Sequence, residues 1–433
     1  MHEAAERLYA RDRIVAGVEK LRFFPLALES GEGSWLVEAG GRRLLDLSAT
    51  WTACGLGHGH PAVREALLGA ASAPPGAGAL SAVHEDAVAL AEELLDLVPG
   101  SGDRRVYFGH AGSDANDVAI RSAVHATGRP NVLAFEHSYH GGIGVAMKAS
   151  GVHVDAGSVA TDQHVRFTPY PDPYRAPERY EHVLAELEEA LAGGDVACLL
   201  VEPILSDGGL VVPPDGFLAE VAARCTAAGT LLICDEVKVG LGRPGTWHAF
   251  QHDGITPDIV TFGKSLGAGV PISAAVGSAA VFDEPAASAL LTQAGNPYST
   301  AVARAVLATM KAEGLVERAA VAGDRLRQGL RQATEHLDVV GEVRGRGLAI
   351  GVDLVTDRAG RERAPDLAAR TVYRVWELGG VVFYVGGNVL EVTPPLVITD
   401  DEVDRAVELL AQGIEEAAKG KVSDAQVAQY AGW

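Results

Sequence analysis

Lysine is scarce in this chain of 433 residues, seven against 29 arginines, and one lysine stands where surface charge does not explain it. Lys264 follows the apolar run Ile259-Val-Thr-Phe-Gly and precedes the small, glycine-rich Ser265-Leu-Gly-Ala-Gly-Val-Pro. Losing hydration at the end of a buried strand lowers the pKa of an amine and leaves it neutral enough to form a Schiff base with a carbonyl compound. Taken alone, the same lysine could be snorkelling or ion-paired. Two other apolar runs end in acids, Leu231-Leu-Ile-Cys in Asp235-Glu236 and Ala197-Cys-Leu-Leu-Val in Glu202. Phe108-Gly-His-Ala-Gly112-Ser113-Asp-Ala-Asn passes from a short strand into a helix. Its small residues leave backbone N–H groups open to a phosphate or other anion at the helix start, although Ser113 would also serve as an ordinary N-cap.

Helical periodicity over Glu85–Leu97, Asp114–Ala126, Tyr180–Leu191 and Gly216–Ala228 alternates with short apolar runs. The runs, Val132–Phe135, Val196–Val201, Leu231–Cys234 and Ile259–Phe262, are too uniformly apolar for a one-sided sheet and predict parallel strands covered on both faces. The fold class is therefore α/β, with a mainly parallel, doubly wound sheet whose ligands gather at the carboxyl ends of the strands. Residues 1–60 begin with a helix across the first 20 residues and continue into a hairpin about Gly40-Gly41. Residues 61–300 form the large domain. Residues 301–433 form a smaller α+β domain, packed with the N-terminal segment, that contains a long helix Ala301–His336, a helix near Ala368–Leu378, a strand pair and a helix Asp400–Ala418. The proline-rich Thr168-Pro-Tyr-Pro-Asp-Pro-Tyr-Arg predicts a surface loop. Gly345-Arg-Gly-Leu-Ala-Ile-Gly lacks the spacing and the following helix of a dinucleotide site.

The net charge of −21 repels nucleic acid and anionic membrane surfaces, so neither is an expected partner. No stretch reaches the roughly 18 apolar residues of a membrane span, and the N-terminus lacks the apolar core of a secretion signal. Four cysteines without CxxC spacing predict reduced thiols in a cytoplasmic protein. His58 and His60 in GLGHGHP have no accompanying cluster of ligands, so no metal site is expected.

A Schiff-base lysine, an acid on a neighbouring strand end and an anion cradle are together the fixtures that hold pyridoxal 5'-phosphate. With these in hand, the chain resembles the class III, ω-aminotransferase-like pyridoxal phosphate enzymes of fold type I over nearly its full length. The blocks are AGSDAN (111–116), SYHG (138–141), VEPILSDGG (201–209) with CDEV (234–237), and TFGKSLGAG (261–269) with TQAGNP (292–297). The resemblance implies that Lys264 is the Schiff-base lysine and that Asp235 pairs with the pyridinium nitrogen. It places Tyr139 and Val237 on the two ring faces and Gly112 and Ser113 on the phosphate. Thr292 reaches the phosphate of a second subunit, so a homodimer with shared active sites is implied.

The sequence departs from typical members at three places. Lys238 replaces the glutamine that contacts the phenolic oxygen of the cofactor; a lysine turned to solvent is the other reading. Glu391 and Asp207 stand where the family has a carboxylate-binding arginine and its glutamate partner, and two facing acids would repel a substrate carboxylate. These departures resemble the α-amino-ε-caprolactam racemase branch, as do LRFFPLA (21–27), PDPYR (171–175), DEVKVGL (235–241), NVLE (388–391) and the terminal AGW (431–433). That branch implies two bases, Lys264 and Asp207, on opposite faces of the substrate carbon, although Asp207 could also be a turn residue. Trp51 falls in the region that lines the substrate pocket of relatives, with Tyr139, Asp207 and Glu391. The expected activity is racemisation or epimerisation of a small non-carboxylate amine, an amino acid amide or α-amino lactam. The alternative is a class III aminotransferase, or an epimerase, acting on an amine or amino sugar.

Overall fold

Three apolar runs, Val196–Val201, Asn131–Phe135 and Ile259–Phe262, are buried at every position, as continuous β-branched and aliphatic sequence requires of a doubly covered sheet. The computed structural model describes residues 3–72 and 78–430; the terminal AGW block lies outside them. The runs belong to a seven-stranded sheet in the spatial order Arg104–Gly109, Ser273–Ser278, Ile259–Phe262, Leu231–Asp235, Val196–Val201, Asn131–Phe135, Val165–Thr168. The last five strands are parallel, whereas Ser273–Ser278 is antiparallel to both neighbours. Its sequence, SAAVGS, has almost no β-branched signal, so periodicity could not reveal it.

The helices Gly112–Thr127, Tyr180–Leu191, Phe217–Ala228 and Asp400–Ala418 lie where the periodicity places them. Two expectations require correction. The N-terminal helix covers only Glu3–Arg11, followed by short 3₁₀ turns at Asp12–Ile14 and Gly17–Glu19, because β-branched residues and Gly17 weaken helix propagation. The helix expected over 301–336 is two helices, Pro297–Ala312 and Leu315–Thr334. They break at Gly314, whose φ of 60° is left-handed and ends the first helix.

Both chain ends contribute to a second layer of structure. The hairpin Trp35–Glu38 and Arg43–Asp46 extends a sheet with Leu28–Glu32 on one side and Gly380–Val381 on the other. Gly380 pairs in parallel with Leu45, which ties the start of the chain to its last quarter. The antiparallel strands Val340–Arg346, Ala349–Leu354, Val389–Val392 and Phe383–Val385 form another sheet in that order. Among the described residues, no helix is long and apolar enough to cross a membrane.

A buried ion cluster joins these layers. Asp353, fully buried, accepts both Arg175 terminal nitrogens at 2.6 and 2.7 Å, Arg344 Nη1 at 2.9 Å and Asn388 Nδ2 at 2.6 Å. The proline-rich segment is a loop, yet its Arg175 turns inward to this acid. Arg344 also donates to the carbonyls of Leu210 at 3.0 Å and Gly209 at 2.5 Å, so the turn after Asp207 is held from the C-terminal sheet. Burial alone would raise the Asp353 pKa, but Arg175 and Arg344 outweigh it and hold the carboxyl below its ordinary range. Asp353→Asn leaves the buried Arg344 with Glu342 alone and the half-buried Arg175 with Asp172 at 4.0 Å, and is expected to destabilise the fold by about 3 kcal/mol at neutral pH in urea titrations. Because the folded pKa is depressed, this contribution is present above pH ~4 and lost as pH falls through the folded value, so variant and wild type converge in acid.

Candidate active site

At the carboxyl edge of the parallel strands lies a cavity of about 400 Å³ lined by Gly112, Ser113, Tyr139, Asp207, Asp235, Val237, Lys238 and Lys264. Sequence reading had separated these residues by up to 152 positions; the topology brings them into one wall. Asp235 ends the strand Leu231–Asp235 and is buried. Its Oδ2 accepts Asn116 Nδ2 at 2.7 Å and lies 2.8 Å from His140 Nδ1, which carries its proton toward the carboxylate. Its Oδ1 accepts the N–H of Val237 at 3.0 Å. Asn116 is itself fixed, receiving Thr261 Oγ1 at 2.6 Å and donating to the His140 carbonyl at 2.8 Å. These supports orient the carboxylate before any ligand arrives.

Lys264 has φ of 44°, the left-handed region that costs a side-chain-bearing residue about 1–3 kcal/mol and persists mainly where function demands it. Among the described residues no hydrogen-bond partner holds its Nζ. Burial pushes the lysine pKa down, and the nearby Lys238 cation adds to the effect. The cradle opposite is tight. A Cβ on Gly112 would fall 2.5 Å from Val237 Cγ1, and one on Gly141 would fall 2.6 Å from the Ser113 Cα. Glycine is required there so that the loops can close around the start of the helix Gly112–Thr127. Ser113 Oγ accepts the N–H of Gly142 at 3.1 Å.

Lys238 is not turned to solvent. Its Nζ donates to Asp207 Oδ1 and Glu391 Oε2, both at 2.9 Å, with all three side chains at most 8% exposed. Burial disfavours the ammonium, but Asp207 and Glu391 outweigh it and keep Lys238 charged well above the ordinary lysine range. The two acids expected to face each other are thus bridged by a cation, and the group carries a net charge of −1. Two lysines in one cavity are driven in opposite directions, one locked as a cation and the other eased toward the free amine.

The Lys238 Nζ lies 5.2 Å from the Trp51 ring centre. Trp51 stacks on Phe383 at 4.8 Å and lines a pocket of about 230 Å³ with Leu21, Tyr139, Asp207, Lys238 and Lys264. Thr292 is exposed in the turn before the helix Pro297–Ala312, outside the lining of its own chain's cavity. His58 lies 2.8 Å from the buried Asp46; burial opposes its charge, but Asp46 and Cys54 outweigh this and push its pKa up to about 9.

Sequence reading assigned no role to Asn116, His140, Ser206 or Glu202, although their letters lie inside the quoted blocks. Only the structure shows that Glu202 links both walls. Its Oε1 accepts the Tyr139 N–H at 2.9 Å, while Oε2 accepts the Ser206 N–H at 3.2 Å and the Ser206 hydroxyl, immediately before Asp207. Burial pushes the Glu202 carboxyl up to about 7; His140 opposes this, while Asp207 and Asp235 reinforce it.

Comparison with known proteins gives a consistent picture. The family model for class-III aminotransferases matches residues 16–414. The chain is 39% identical over 357 residues to the leucine/methionine racemase of Thermococcus litoralis, covering 79% of this chain and 80% of the relative. It is 32% identical over 447 residues to the isoleucine 2-epimerase of Lentilactobacillus buchneri, covering 100% and 99%. The solved (S)-enantioselective ω-transaminase of Thermomicrobium roseum superposes with a TM-score of 0.87 at 30% identity, covering 96% of this chain and all of that one. The fold is therefore that of fold type I pyridoxal phosphate enzymes. The cavity suits this cofactor: an anion cradle too tight for side chains, an oriented carboxylate and an unengaged lysine amine meet in one space.

Because the folded Glu202 pKa exceeds its unfolded value, its contribution to stability is full below pH ~4.5 and lost as pH rises through about 7. Glu202→Gln is expected to flatten the decline of the urea midpoint over that interval, with Glu236, also pushed by burial up to about 7, retaining part of the slope. An unchanged slope would show that Glu202 does not hold the proton.

Proposed function

The chain belongs to the class-III aminotransferase family of pyridoxal phosphate enzymes, and from that premise we propose that it is a racemase or epimerase of a non-carboxylate α-amino compound, an amino acid amide or α-amino lactam. The Asp207–Lys238–Glu391 ion triplet carries the reading. Glu391 stands where the family has its carboxylate-binding arginine, and among the described residues the cation hydrogen-bonded there, Lys238, is already held by two acids. A net negative, desolvated wall disfavours a carboxylate and accepts a neutral amide or lactam.

When bound, pyridoxal phosphate supplies an electron sink for the pair left as a bond to the substrate α-carbon breaks. Gly112, Ser113 and the helix start would hold its phosphate, Asp235 would keep a proton on its ring nitrogen, and Tyr139 and Val237 would confine its ring. Lys264 would hold its aldehyde. Two of the three ammonium hydrogens of Lys238 are committed to carboxylates, which leaves one for the phenolic oxygen. Lys264 and Asp207 are the two bases. The lysine, its pKa lowered by burial and by Lys238, takes or returns the α-proton on one face. Asp207, its carboxylate steadied by Lys238, serves the other. Trp51 and Tyr139 line the substrate side and keep it poor in water, with Glu391 acting on it through Lys238.

The proposed assembly is a cytoplasmic homodimer in which Thr292 of each copy serves the phosphate of the other. Residues 61–300 form the cofactor domain, and residues 1–60 join residues 301–433 in the smaller one. The racemase and epimerase relatives support the reaction type, although the substrates in their names are free amino acids, so the non-carboxylate class rests on the ion triplet alone; the alternative outcome is an aminotransferase acting on an amine or amino sugar.

The deciding experiment places one enantiomer of leucinamide with the holoenzyme in deuterium oxide without a keto acid. Loss of optical activity with deuterium at Cα is expected, and free leucine should react at least tenfold more slowly. Stoichiometric formation of pyridoxamine phosphate without racemate would instead assign an aminotransferase. Asp207→Asn should slow racemisation about 100-fold or more with cofactor uptake retained, and Lys264→Ala should abolish turnover. Unchanged racemisation in the Asp207 variant overturns the two-base assignment.

A further inference from the structure

A second cavity of about 780 Å³ lies against the active site and is larger than the 230 Å³ pocket at Trp51. Asp207 lines the cofactor cavity, the Trp51 pocket and this second space, so a substrate held at Asp207 has room to continue past it. An amino acid amide does not need that volume, which lies within the ~300–1,000 Å³ range of small-molecule sites. The walls beyond Asp207 and Gly208 are mixed. Met147 and Val152 are apolar, the His137–Asp155 pair at 2.7 Å is self-contained, and Arg363 is the remaining strong cation.

Arg363 is anchored rather than loose. Its Nη1 donates to the Gly386 carbonyl at 3.0 Å and Asn388 Oδ1 at 2.8 Å, and Asn388 is pinned by Asp353 and the Leu354 carbonyl, both at 2.6 Å. Gly386 packs directly on the Asp207 turn; a Cβ there would fall 2.9 Å from the Gly208 carbonyl oxygen. No carboxylate forms an ion pair with Arg363 among the described residues. Its Nε and Nη2 make no hydrogen bond among the described residues, and the exposed side chain borders both this cavity and a neighbouring one of about 390 Å³.

Building on the racemase reading, we propose that the substrate is an α-amino amide extended through its amide nitrogen to an anionic end, such as a short peptide, with the distal carboxylate bound by Arg363. The reacting carbon then lies beside an acidic wall that rejects a carboxylate attached to it, while a carboxylate several bonds away meets a guanidinium suited to bind it through two N–H groups. The two halves of the site select for the position of the negative charge as well as its presence.

Three probes separate the contributions: L-leucinamide, L-leucylglycine and the uncharged L-leucylglycinamide, each followed by Cα hydrogen–deuterium exchange on the holoenzyme. Leucylglycine is expected to show a KM at least tenfold below that of leucylglycinamide. Arg363→Gln should erase this difference, Arg363→Lys should restore part of it, and Val152→Trp should raise KM for both extended probes; leucinamide kinetics should remain unchanged in all three variants. Equal KM values for the two extended probes, or an equal effect of Arg363→Gln on all three, overturns the proposal. A calorimetric titration with 4-methylpentanoylglycine, which lacks the reactive amine, provides an independent arm. Binding to the wild type that weakens at least tenfold in Arg363→Gln supports the anion site, and absence of binding or equal binding overturns it. If leucinamide exchanges no α-proton, the racemase reading fails while this titration still decides the site.

Discussion

A charge removed from water must be met by an opposite charge or by hydrogen bonds, and the active region of this protein is arranged around that requirement. Lys238, Asp207 and Glu391 satisfy one another where none could stand alone. Asp207 belongs to a turn gripped by Arg344, which is itself held by Asp353 with Arg175. On the other side of the cavity, Asp235 is met by Asn116 and His140. The charges that face a ligand are thus the visible ends of networks that run into the seven-stranded sheet and into the antiparallel sheet that carries Asp353. Removing an inner member would disturb the outer ones without touching the ligand.

The same requirement gives the two lysines different characters. Both lie at the wall of one cavity, yet only Lys238 has acids at hydrogen-bonding distance. Lys264 experiences burial without that compensation and has Lys238 as a neighbour. One scaffold thereby holds one lysine as a cation and eases its neighbour toward the free amine, a separation produced by environment rather than residue type.

Much of this was legible in the sequence because it rests on contiguous signals. Apolar runs marked four of the parallel strands, and Lys264, Asp235 and Glu202 drew attention as polar residues ending such runs. Composition hid Ser273–Ser278, whose small side chains suit a crowded interior but carry no strand signature. The break at Gly314 was masked by helical residues on both sides. The Lys238 bridge was illegible for a different reason: its partners lie 31 and 153 positions away, and no local pattern shows that two acids and a lysine share one pocket. Glu202 was noticed as a strand-end acid, but its grip on Tyr139 and Ser206 depends on how two separate loops return to that strand.

The parallel pairing of Gly380 with Leu45 bears on the order in which the protein can mature. During synthesis, the seven-stranded sheet and its cofactor wall are complete in sequence once Ser278 has emerged, but Trp51 must wait for Phe383 and Lys238 for Glu391. The nascent chain therefore has the strand ends that carry Asp235 and Lys264 well before it has the pocket at Trp51, and the long-range closure that joins them is the slow kind of contact in folding. A chain truncated before residue 380 would keep the chemistry-bearing strands yet leave Lys238 with one acid and Trp51 without its stacking partner.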